Sequence, residues 1–73
     1  MNGFVKFREE TGAESFLSSP RIRAISSKGQ LVPTGSKEVL IFREFNEDDV
    51  KAIATVAEAM GGRVIPSTQY EPL

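Results

Sequence analysis

Two stretches of this chain carry residue types and spacing that suggest chemistry: the acids Glu47, Asp48 and Asp49, and the glycine-punctuated loop from Gly29 to Lys37. A metal site or an acid/base pair needs carboxylates that converge, and consecutive helical positions splay around the axis instead. Asn46 just before the acids is a good helix N-cap, and carboxylates in a first helical turn are favoured by the helix dipole. The acids therefore read as the start of a helix. A phosphate-binding loop wants Gly-Lys-Ser/Thr followed directly by a helix. Here Gly35-Ser36-Lys37 leads into the apolar run Val39-Leu40-Ile41-Phe42, which is a strand pattern, so no nucleotide site is expected. The chain has no Cys and no His, which removes the thiolate nucleophile, the disulfide, the usual zinc ligands and the usual general base. What remains is a scatter of carboxylates and hydroxyls. No catalytic residue, metal site or cofactor is expected, and the protein reads as non-enzymatic.

The scaffold is small. At 73 residues the chain is one domain, of a size that buries only about 60% of its unfolded surface. The net charge of −1 argues against a protein whose main partner is a phosphate backbone. That average conceals a gradient: residues 1–36 hold five basic and three acidic side chains, and residues 37–73 hold four and seven. No apolar stretch approaches the roughly 20 residues of a membrane span, and the acids Glu9 and Glu10 stand where a signal peptide would be apolar. A cytoplasmic protein is expected.

The firmest pattern runs from Glu38 to Ile65 and predicts a βαβ unit. Val39, Ile41, Arg43 and Phe45 would share one face of its first strand, and Leu40 and Phe42 the other, so this strand should be covered on both sides. Asn46 starts the helix, and Phe45 with Val50 forms a hydrophobic staple. Val50, Ile53, Ala54, Ala57 and Met60 make the inward stripe, with Val56 at its margin. Gly61 is the left-handed residue that stops the helix. Val64-Ile65 should then pair parallel to residues 38–45.

Upstream, Phe4 to Arg8 alternates as a strand, with Val5 and Phe7 on one face and Phe4, Lys6 and Arg8 on the other. Residues 9–14 read as a mobile connection, and Phe16-Leu17 as a plug over the sheet. Arg21 to Ser26 reads as a second strand and Leu31-Val32 as a short hairpin arm, held to an edge by Pro33. The expected fold class is α+β: a single helix packed on a small mixed sheet of three to five strands. Residues 1–66 form the domain, and 67–73 a flexible tail whose Tyr70 and Leu73 could fold onto a partner.

One helix covers one face of a sheet. If Phe16-Leu17 leaves Leu40 and Phe42 bare, those two with Phe4 make an apolar patch flanked by Arg8, Arg21 and Arg23, the composition of protein interface hot spots. The expected partner-binding residues are therefore Phe4, Lys6, Arg8, Arg21, Arg23, Leu40 and Phe42.

In size, in lack of Cys and His, and in one capped helix from Asn46 to Gly61 on a strand at 38–45, the chain resembles small phage-encoded regulators that bind bacterial RNA polymerase. That resemblance implies a transcription regulator in the host cytoplasm, inhibiting initiation or altering termination at the polymerase's σ-binding or RNA-exit surfaces; a monomer is expected. An alternative is a single-stranded nucleic-acid module using the basic and aromatic half with Phe4, Lys6, Phe7, Arg8, Arg21, Arg23 and Lys28. A self-associating structural subunit is the third reading.

Overall fold

A computed structural model of the chain describes residues 1–66; the expected tail with Tyr70 and Leu73 lies outside the described residues. Four strands and three helices follow in the order β1 (Gly3–Phe7), α1 (Glu10–Ser18), α2 (Pro20–Ser26), β2 (Gln30–Pro33), β3 (Val39–Arg43), α3 (Glu47–Ala59) and β4 (Gly62–Pro66). The sheet order is β2-β3-β1-β4, and every neighbouring pair is antiparallel. The α+β class and the strand number agree with expectation. The sheet is antiparallel where a mixed one was expected, and three helices pack on it where one was expected.

The C-terminal βαβ unit is split. β3 and β4 run in the same direction but do not touch, because β1 lies between them and pairs with both. The expected direct pairing of Val64-Ile65 with residues 38–45 is thus replaced by Val5↔Val64 and Phe4↔Ile65. β1 and β3 are the two central strands, with β4 and β2 at the edges.

Local chemistry accounts for the elements. Pro20 opens α2 at its first position, where the missing N–H costs nothing. The same ring forces Ser19 out of the helical region, to φ −63° and ψ 129°, and so ends α1. The strand expected at Arg21 to Ser26 is this helix. Ile22 and Ile25, three positions apart, are its buried residues, and Arg21 and Arg23 lie on its exposed side. The connection expected at residues 9–14 is mostly the first half of α1, whose Ala13 and Phe16 are buried. Phe16 is the plug, fully enclosed with its ring centroid 5.2 Å from that of Phe7, while Leu17 is exposed. Leu31 and Val32 form a hairpin arm with β3 downstream, and not with residues 21–26 upstream as expected, because those residues are helical.

α3 begins as expected, with the Asn46 side chain accepting from the Asp49 N–H at 2.8 Å. It ends at Gly61, whose φ of 79° suits glycine. Phe45 and Val50 are both buried in the core, and Val56 joins Val50, Ile53 and Ala57 on the inward side. One cluster unites these helix residues with Val5, Phe7, Leu40 and Phe42 of the sheet. All three helices contribute to that cluster, so they share one face of the sheet.

Candidate functional site

Strand alternation divides the sheet cleanly. Val5 and Phe7 of β1 and Leu40 and Phe42 of β3 point into the helix layer and are buried. Phe4, Val39, Ile41 and Ile65 take the opposite parity and are half-buried. Among the described residues no helix packs on that second face, so the helices supply cover on one of the two sides expected for β3.

Cross-strand register turns these residues into rows, because directly paired residues project to the same side. Val32 pairs with Ile41, Ile41 with Phe4, and Phe4 with Ile65, giving one apolar row that crosses all four strands. At about 4.8 Å per strand it is roughly 14 Å long. Two residues further along the strands, about 6.8 Å away, Val39 pairs with Lys6 and Lys6 with Arg63. On the other side of the row Gln30 pairs with Arg43. The face is an apolar band with a basic margin on either side.

Lys6 and Arg63 are like charges placed directly opposite each other, an arrangement that destabilises a sheet. Neither has a carboxylate within 4.0 Å among the described residues; the cations so paired are Lys28, Lys37 and Lys51. Beyond the strand ends, Arg8 extends the basic margin into a groove shared with Lys6, Arg63, Glu38, Glu58 and Gly61.

The expected binding residues separate into three groups. Phe4 and Lys6 lie on the open face and Arg8 at its end. Arg21 and Arg23 are exposed on α2, in the opposite layer, and cannot flank this face. Leu40 and Phe42 are buried beneath the helices, with 3% and 0% of their surface exposed, and are core side chains with nothing to offer a partner. Two further residues, Arg43 and Arg63, belong to the site. Alternation along β3 already places Arg43 with Ile41, but Arg63 gains its significance only from the insertion of β1 beside β4.

The chemistry-bearing stretches have structural roles. Glu47 pairs with Lys51 at 3.8 Å, and Asp49 sits buried in the capped first turn, 4.0 Å from Lys28. Among the described residues no group of three His, Cys, Asp or Glu could hold a metal ion, and no helix is long and apolar enough to cross a membrane. The loop after β2 is tied by the Thr34 hydroxyl, which donates to the Val39 carbonyl at 2.9 Å and accepts from the Ser36 N–H at 3.0 Å. Comparison with known protein families, with curated proteins and with solved structures returned no match.

Proposed function

We propose that this chain is a non-enzymatic regulator that acts by binding a protein through the open face of its sheet. The observation that carries this reading is the row Val32–Ile41–Phe4–Ile65, a continuous apolar band on the face away from the helices. Apolar side chains ringed by Arg and Lys form the kind of surface that supplies interface hot spots. Bacterial RNA polymerase is the partner proposed, following the resemblance in size and in the capped helix after Asn46 to phage-encoded transcription regulators, with a monomer acting in the host cytoplasm. Binding of the purified chain to immobilised polymerase, together with promoter-dependent run-off transcription, tests this directly. Micromolar or tighter binding with reduced initiation or altered termination supports it; no binding and unchanged transcripts overturn it.

A second reading is favoured by one placement. Phe4 shares its face with Lys6, Arg43 and Arg63, a stacking ring among cations that suits a single-stranded nucleic acid. Affinity for an oligonucleotide that falls steeply with salt would favour it over the protein partner.

A further inference from the structure

The open face segregates charge. Of the strand side chains that alternation places on it, Lys6, Arg43 and Arg63 are cationic and none is acidic, in a chain with ten acidic and nine basic residues overall. Lys6 and Arg63 stand directly opposite each other at a cost to the fold, and Glu38 and Glu58 in the adjoining groove lie beyond 4.0 Å of either. Like charges held this way are relieved when a carboxylate settles between them.

We propose that Lys6 and Arg63 form a receptor for an acidic side chain of the protein partner, so that the face selects a segment carrying both apolar and acidic residues. The inference rests on the protein-binding reading above and names the chemistry of that partner. The spacing supports it: the cationic pair lies about 6.8 Å along the strands from the apolar row, the separation of same-side residues i and i+2 in an extended chain. An extended segment with an aliphatic residue at one such position and Glu or Asp at the next engages both rows together. Three of the four row residues are aliphatic, which suits such a segment better than stacked bases, where successive aromatics do the holding.

The test is an NMR titration of the isotopically labelled chain with a synthetic peptide repeating Leu-Ser-Glu-Ser, beside an analogue with Lys in place of Glu and an oligothymidylate. Expected are amide shifts at Lys6, Ile41, Arg63 and Ile65 with the Glu peptide, none with the Lys analogue, and at least tenfold weaker binding for Lys6→Glu. Because Lys6→Glu converts a like-charge pair into an ion pair, its melting temperature should rise as binding falls; Arg63→Glu serves as the second variant and should behave the same way. Equal shifts from both peptides, no shifts from either, or a fall in melting temperature in both variants overturns the acidic receptor. Shifts from oligothymidylate alone overturn it in favour of nucleic acid. Failure of the receptor is distinguishable from failure of the protein-binding reading: polymerase binding retained by Lys6→Glu but lost by Ile41→Ala removes the first and keeps the second.

Discussion

Gly62 of β4 lies directly across from Phe7 of β1, and a Cβ at Gly62 would stand 2.5 Å from the Phe7 ring. The ring occupies the space a side chain would need and packs against Phe16 in α1, with centroids 5.2 Å apart. Gly62→Ala should therefore push Phe7 out of position and cost about 1–3 kcal/mol by overpacking, read as a lower denaturation midpoint. Gly35 is the control, because a Cβ added there would meet nothing within 4 Å and its φ is not positive. Gly35→Ala should be neutral or stabilise by up to about 1 kcal/mol.

Phe16→Ala should remove most of the domain's stability. Truncating a buried Phe costs about 3–5 kcal/mol, and a core of this size rarely supplies more than that. Its neighbour Leu17 is 43% exposed, and Leu17→Ala should change stability by no more than about 0.5 kcal/mol. Urea unfolding of the two variants side by side measures the contrast.

The start of α3 gives a third expectation. Asn46→Ala removes the acceptor for the Asp49 N–H and should cost about 0.5–2 kcal/mol, whereas Asn46→Asp or Asn46→Ser keeps an acceptor and should stay close to the parent. Thermal melts rank the three.

Glu44 gives the fourth. Its φ of 64° is left-handed, which costs a residue with a Cβ roughly 1–2 kcal/mol, and it is this turn that swings Phe45 into the core after β3 ends. Glu44→Gly should raise the melting temperature despite the added freedom of the unfolded chain, and the β-branched Glu44→Val should lower it.

The same turn shows where the sequence is legible and where it is not. Period-two alternation is readable from Val39 to Arg43, but extending it to Phe45 puts that ring on the open face, since nothing in the residue Glu44 announces a positive φ. The helix from Asn46 to Gly61 is readable because cap, stripe and stop point to the same element, although Val56, expected at the margin, is buried and Ala54, expected in the stripe, is only partly so. Arg21 to Ser26 misleads because Arg21-Ile22-Arg23 alternates over three residues, although Pro20 and the Ile22–Ile25 spacing are both helix signals. Strand order is the larger loss. Alternation tells a strand which face to bury and says nothing about its neighbour, so the insertion of β1 between β3 and β4, which brings Lys6 opposite Arg63, has no local signature. Of the expected binding residues, Phe4, Lys6 and Arg8 fall at the open face for the reason alternation gives; Leu40 and Phe42 leave it because three helices cover their side.

If the open sheet face, and not the helix layer, is the binding surface, substitutions in the two layers must separate. The most direct test is the affinity of purified RNA polymerase for Ile41→Ala beside Leu17→Ala, one substitution in each layer, with folding checked by thermal melts. The predicted result is a loss of about 2 kcal/mol, roughly 30-fold, for Ile41→Ala and no change for Leu17→Ala. An unaltered affinity for Ile41→Ala, or a loss confined to Leu17→Ala, would contradict it.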